Sequence, residues 1–280
     1  MKVETFVGDQ DMQPLLKVEN LVKRYARRNL ADSRGELLAL DGVSFTILRG
    51  TTLALVGESG SGKSTLAFCL SCLEDPTSGS IWFEGRDVVK CAENEKRKVR
   101  PHLQLIFQDP SNSLNSRWRV SDLLLEPLIL YGKLKREGME HRAFSLLERV
   151  GLSKEIAERS PAELSGGQRQ RLAIARALAI EPKLLILDEA LSALDCSVQA
   201  QIANLLMELQ TSLGMTYLFI THDMAMAAHL ANEIAVMNRG RIVEQGPADT
   251  VIKQPQHEAT RQLLAAVPRL THTPAQALKQ

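Results

Sequence analysis

Gly57-Glu58-Ser59-Gly60-Ser61-Gly62-Lys63-Ser64-Thr65 stands between the apolar run Thr52-Leu53-Ala54-Leu55-Val56 and the largely apolar Leu66-Ala67-Phe68-Cys69-Leu70. The order predicts a strand, a glycine-rich loop and a helix. A Gly-x-x-x-x-Gly-Lys-Ser/Thr spacing lets backbone N–H groups curl around a polyphosphate at the positive end of a helix. Lys63 would reach the β and γ phosphates, Ser64 would offer its hydroxyl to Mg²⁺, and Thr65 would bond a phosphate oxygen nearer the sugar.

Farther along, Leu184-Leu185-Ile186-Leu187 reads as a fully buried strand and ends in Asp188-Glu189. Strand C-termini are where α/β sheets present ligands. Asp188 would serve the metal, and Glu189 could accept a proton from, or orient, a water attacking the γ-phosphate. Leu164-Ser165-Gly166-Gly167-Gln168 opens a strong helix, so its serine and glycine N–H groups make a second anion-binding terminus. One nucleotide has no need of two such sites.

The 280 residues are 44% apolar and 24% charged, enough for one substantial core or a core with a smaller subdomain. Lys plus Arg number 34 against 33 Asp plus Glu, so no global field would draw nucleic acid or anionic lipid. No apolar stretch has the length needed to cross a bilayer. Met1 to Gln13 has acidic residues and no apolar segment, which predicts no signal peptide and a cytoplasmic address. Cys69, Cys72, Cys91 and Cys196 do not space like a disulfide framework. The Cys69–Cys72 pair falls in the helix after the glycine loop and reads as small buried hydrophobes.

The remaining pattern is coarser. Leu15 to Tyr25 alternates loosely and predicts an edge strand. Leu37 to Leu48 reads as a strand bent at Asp41-Gly42. Ser80 to Phe83 and Leu103 to Phe107 read as short strands. From Val120 to about Glu158 the pattern is helical, with Ser121 expected as the N-cap of Asp122 to Leu130 and a second helix over Glu140 to Val150. Then come a helix from Gln168 to Ile180, the strand ending at Asp188, a helix over Ser197 to Ser212, a strand over Thr216 to Ile220, a hairpin turning at Asn238-Arg239-Gly240, and short helices in the tail. That βαβ rhythm predicts a parallel sheet.

In order, the glycine loop, Gln108, Leu-Ser-Gly-Gly-Gln, Leu187-Asp188-Glu189, Ser192-Ala193-Leu194-Asp195 and His222 resemble the ATPase subunit of an ABC transporter over roughly Leu15 to Gly246. The resemblance implies an α/β fold: a P-loop NTPase (RecA-like) core with a mixed parallel and antiparallel sheet, an antiparallel β subdomain and an inserted α-helical subdomain. It divides the chain into a flexible N-terminus (1–14), an ATPase domain (15–250) with the helical subdomain at about 112–164, and a helical tail (251–280). It also assigns roles. Tyr25 stacks on adenine, Gln108 touches Mg²⁺ or the attacking water, His222 contacts the γ-phosphate, and Asp195 lies in a dimer-interface loop. Ser165, Gly166, Gly167 and Gln168 cap ATP held by the opposite subunit.

Gln108-Asp109-Pro110 with Ser113-Leu114-Asn115-x-Arg117, and Pro255-x-His257 before Arg261-x-Leu263-Leu264, resemble the oligopeptide, dipeptide and nickel importer branch. Ser116 replaces that branch's usual proline, and the tail lacks its Pro-Tyr pair. With no cysteine after Cys196, no iron–sulfur centre is expected. The implied protein is a peripheral ATPase on the cytoplasmic face of the membrane, using ATP and Mg²⁺ to power solute import, foremost of peptides. Its implied partners are a second ATPase subunit, identical or paralogous, two permeases and, indirectly, a solute-binding protein, with no nucleic acid. The alternatives are an importer of nickel or another small solute, and a soluble ABC ATPase outside transport.

Overall fold

The computed structural model describes residues 14–26, 36–110, 113–132 and 138–266. The expectations for the N-terminus, for the start of the helical subdomain at about residue 112 and for the end of the tail lie outside the described residues. In chain order the elements are β1 (Pro14–Ala26), β2 (Glu36–Leu48), β3 (Thr52–Val56), α1 (Lys63–Leu70), β4 (Ser78–Phe83), β5 (Arg86–Asp87), α2 (Glu93–Val99) and β6 (Leu103–Ile106). There follow α3 (Val120–Leu130), α4 (Met139–Arg149), α5 (Gly166–Leu178), β7 (Leu184–Asp188), α6 (Cys196–Leu213), β8 (Thr216–Thr221), α7 (Met224–Leu230), β9 (Glu233–Asn238), β10 (Arg241–Pro247), α8 (Ala248–Lys253) and α9 (Glu258–Ala265).

Two sheets organise these elements: a four-stranded antiparallel sheet ordered β2-β1-β4-β5 and a six-stranded sheet ordered β10-β9-β3-β8-β7-β6. In the larger sheet β9, β3, β8, β7 and β6 run parallel, and β10 is antiparallel to β9. Its central strands read as unbroken apolar runs because both faces are covered. Leu53, Leu55, Leu184, Ile186, Leu218 and Ile220 face the core shared with the antiparallel sheet and α1. Their alternates Ala54, Val56, Leu185, Leu187, Tyr217 and Phe219 face the helical core, which also takes in α3, α4, α5 and α6. Each such leucine or phenylalanine contributes roughly 1.5–3 kcal/mol by leaving water, which locks the register of the strand ends that carry the site.

Three expectations need correction. The strand from Leu15 to Tyr25 is not an edge: β1 lies between β2 and β4, because alternation reports the side-chain faces and not the backbone neighbours. Ser121 is inside α3, whose N-cap position is Arg119 with no side-chain cap. The N–H groups of Val120 and Ser121 donate instead to the carbonyls of Arg159 and Ala157, both at 2.9 Å, so the orphan donors of that helix end are satisfied by tertiary packing. Cys72 lies past the end of α1, with φ +56°. It is nevertheless buried, as is Cys69, and burial pushes both thiols up, Cys69 to about 12. They are inert core residues.

The β9–β10 hairpin turns through two residues with positive φ, Arg239 (+47°) and Gly240 (+81°), a geometry whose twist matches that of the strands it joins. Gly240 N donates to Ser61 O at 2.8 Å, and Asp41 N donates to Gly240 O at 2.9 Å. The turn therefore braces the glycine loop against β2.

Candidate ATP-binding and hydrolysis site

The parallel registers Val56↔Thr221 and Asp188↔Ile220 bring the carboxyl ends of β3, β8 and β7 side by side. The glycine loop follows β3, Glu189 follows β7 and His222 follows β8. The glycine loop and Glu189 meet at a cleft of about 560 Å³ whose lining includes Tyr25, Ser59, Gly60, Gly62, Lys63, Ser64, Thr65, Gln108, Asp188 and Glu189, while His222 does not line it and touches the site through Glu189.

The loop's path demands its glycines. Gly62, with φ +108° just before α1, would place a Cβ 2.5 Å from Ala39 O, so a side chain there would force the loop and β2 apart. Lys63 is almost fully buried, and its Nζ donates to Gly57 O at 2.8 Å and Glu58 O at 2.9 Å. Burial pushes its pKa down, while Glu189 and Asp188 push it up. Glu189 Oε1 is 3.7 Å from Lys63 Nζ, and Glu189 Oε2 is 3.6 Å from His222 Nδ1. The catalytic carboxylate expected from the sequence thus stands between a buried cation and an exposed imidazole.

Glu189 has φ +47°, uncommon for a residue with a side chain. Its N–H donates to Ile220 O at 3.0 Å, and its carbonyl accepts from Ser192 Oγ at 2.9 Å. Gln108 Nε2 in turn donates to Ser192 Oγ at 3.2 Å. Gln108 is thereby tied through one hydroxyl to the backbone of Glu189.

Asp188 is buried, and burial is the main reason its carboxyl pKa is raised. Ser64 hydrogen-bonds its side chain, but Oδ1 has no hydrogen-bond partner among the described residues. An orphaned carboxylate oxygen beside a serine hydroxyl at the phosphate cradle fits Mg²⁺, which favours one or two protein oxygens with substrate phosphates. Among the described residues no cluster of three or more His, Cys, Asp or Glu could hold a metal on its own.

Ser165, Gly166, Gly167 and Gln168 do not line this cleft. They form a closed capping box: Gln168 N donates to Ser165 Oγ at 3.3 Å and Ser165 N to Gln168 Oε1 at 2.9 Å. Asp195 is also outside the cleft and caps α6, accepting from Val198 N at 2.9 Å. Sequence reasoning missed several cleft residues, namely Leu37 and Leu38, which are 46% and 38% exposed, and Ala39, Arg239 and Gly240. Two adjacent leucines in a strand are a signal of sorts, since one must face outward.

Replacing Lys63 by alanine removes a charge-assisted contact to the phosphates, and ATP affinity is expected to fall by at least about tenfold. Equilibrium binding of a fluorescent ATP analogue checks it; unaltered affinity would move the phosphates elsewhere.

Residues 40–192 match the family described as ABC transporter. Among curated relatives, the dipeptide transport ATP-binding protein DppF of Escherichia coli is 45% identical over 259 residues, covering 92% of this chain and 78% of that protein. The oligopeptide transport ATP-binding protein OppD of Mycobacterium tuberculosis is 48% identical over 262 residues, covering 92% of this chain and 43% of its own length. Among solved structures, a dimeric post-hydrolysis state of the ATP-binding cassette MJ0796 bound to ADP and Pi superposes with TM-score 0.72 at 29% identity, covering 83% of this chain and 98% of that one. With a cleft of this construction and relatives of this likeness over nearly its whole length, the chain belongs to the ABC transporter family and is an ATP-hydrolysing subunit of it.

Proposed function

We propose that this subunit powers peptide import through separate membrane permeases. The observation that carries the solute class is the agreement of relatives named for dipeptide, di/tripeptide and oligopeptide transport, each aligned over at least 92% of this chain. Among the described residues no helix is long and apolar enough to cross a membrane, which supports a peripheral place beside permeases that supply the path.

In the proposed mechanism the glycine loop and Lys63 hold the β and γ phosphates of ATP, and Tyr25 takes the base. Ser64, Asp188 and Gln108 would hold Mg²⁺, which would supply neutralisation of the charge that develops on the phosphates. Glu189 orients the attacking water and accepts its proton, and His222 meets the γ-phosphate from beside Glu189. The helix α5, through its Ser165-Gly166-Gly167-Gln168 terminus, closes over ATP bound to a second subunit, a reading supported by the fact that these residues do not line this chain's own cleft and by the dimeric cassette among the structural relatives.

The permease contact is proposed where β6 meets the helical insert. Phe107, Leu130 and Tyr131 are exposed there and help to line a recess of about 200 Å³. An apolar patch of this kind marks a protein contact, and a short cytoplasmic helix of the permease suits it. Reconstitution with membrane permeases that bind this subunit, in proteoliposomes, tests the whole reading. Uptake of di- or oligopeptides that requires ATP on the side of this subunit is expected. Uptake of nickel with indifference to peptides would overturn the solute.

A further inference from the structure

Behind the tyrosine of the cleft lies a cluster that Asp188 and Glu189 do not use, although Thr65 of the phosphate cradle also acts on the tyrosine hydroxyl. Tyr25 pairs with Leu37 across the antiparallel ladder, and its hydroxyl donates to Glu74 Oε2 at 2.5 Å. Glu74 comes from the segment between α1 and β4, so this bond joins the outer sheet to the chain leaving the phosphate helix. The same carboxylate oxygen is 3.4 Å from Lys23 Nζ. Lys23 is itself anchored, donating to Asp75 O at 2.7 Å, and its ammonium stands over the Tyr25 ring, 5.0 Å from the centroid.

These contacts are more sheltered than an ordinary surface pair, with the side chain of Lys23 15% exposed and that of Glu74 33%. Burial and the Glu74 carboxylate push the Tyr25 hydroxyl up to about 12, which keeps it a donor throughout the physiological range. A ring fastened at its hydroxyl and covered on one face by a cation has little rotational freedom left. Stacking on such a ring need not be offset by the cost of ordering it.

We infer that Glu74 and Lys23 are positioning residues for nucleotide binding: Glu74 fixes the Tyr25 hydroxyl, Lys23 covers one face of the ring, and the nucleobase stacks on the other. The inference rests on the nucleobase role proposed for Tyr25. It goes beyond that role by naming what holds the ring, and by assigning a function to the residues that follow the phosphate helix.

The test compares equilibrium affinities of the purified full chain for ATP and for inorganic tripolyphosphate, which lacks a base. Glu74→Ala is expected to weaken ATP binding about three- to tenfold and to leave tripolyphosphate binding unchanged. Glu74→Gln, whose amide oxygen still accepts from the phenol, should recover most of the loss. Tyr25→Phe should lose at least as much ATP affinity as Glu74→Ala, since Thr65 also acts on the hydroxyl, and adding Glu74→Ala to Tyr25→Phe should cost little more, because both remove the bond between Tyr25 and Glu74. Equal losses of ATP and tripolyphosphate in Glu74→Ala would mean that Glu74 merely supports α1 and the phosphate loop, and would overturn the inference. An unchanged ATP affinity would do the same. If Tyr25→Ala itself left the preference for ATP over tripolyphosphate untouched, the stacking role would fall first and the positioning role with it.

Discussion

Glu189→Gln is expected to bind ATP and to hydrolyse it at least about a hundredfold more slowly than the wild type. The substitution keeps the shape of the side chain and so preserves the uncommon backbone of Glu189 and the bonds from its N–H to Ile220 O and from Ser192 Oγ to its carbonyl. What it removes is the charge between Lys63 and His222 and with it the proton acceptor. A positioned general base contributes about a hundred- to ten-thousandfold, so the lower bound corresponds to roughly 2.7 kcal/mol of barrier. Lys63 stays in the phosphate cradle, and with one opposing carboxylate gone its charge is freer to meet the γ-phosphate. The variant should therefore accumulate with ATP bound. Single-turnover phosphate release, measured beside equilibrium nucleotide binding, separates the two effects. A near wild-type rate would remove Glu189 from the chemistry, whereas a loss of ATP binding would make it part of the cradle.

The residues that could be read from sequence are those whose role is local. The glycine loop works through its own backbone, and its spacing is visible in nine consecutive residues. The buried strands of the large sheet announce themselves because both faces are apolar, and the strand ending in Asp188-Glu189 carries its acids at a position set by chain direction alone. Contacts made across the fold leave no such trace. Glu74 meets Tyr25 from 49 positions away, and Ser192 reaches Gln108 from 84 positions away. Nothing in either local pattern announces its partner. Leu37 and Leu38 reach the cleft because β2 pairs with β1, and Gly240 lies on Ser61 because the hairpin folds back. Ser121 shows the converse: serine is a good cap by propensity, yet the Ala157 and Arg159 carbonyls already satisfy that helix end. Local propensity is decisive only where tertiary structure leaves the groups unpaired.

Helix α5 provides the second large effect. Its N-terminus does not line this chain's own cleft, and on the proposed reading it is an anion site for the opposite subunit, so damage there should appear on that subunit's nucleotide. Gly167 is a poor place for the lesion, because a Cβ would lie 2.6 Å from Val198 Cγ1 and the branched side chain has little room to give. At Gly166 the nearest atom is Leu194 Cδ2 at 3.4 Å, an ordinary contact. Gly166→Asp also sits in the first turn of α5, where a carboxylate favours the helix, so the subunit itself should remain folded. Across an interface the same carboxylate would repel a γ-phosphate and cancel the terminus as an anion site. In a homodimer, one subunit with Lys63→Ala and the other with Gly166→Asp would put both lesions into one composite site and leave the second site whole. Placing both substitutions in one subunit, opposite a wild-type partner, would spoil both sites. Site-resolved trapping of nucleotide in the two assemblies should therefore find one occupied site in the first and none in the second. With a paralogous partner, Gly166→Asp should deplete nucleotide on the paralogue's glycine loop. Loss confined to ATP held by the Lys63 of the substituted subunit would refute the head-to-tail arrangement and return Ser165 and its neighbours to the role of a helix cap.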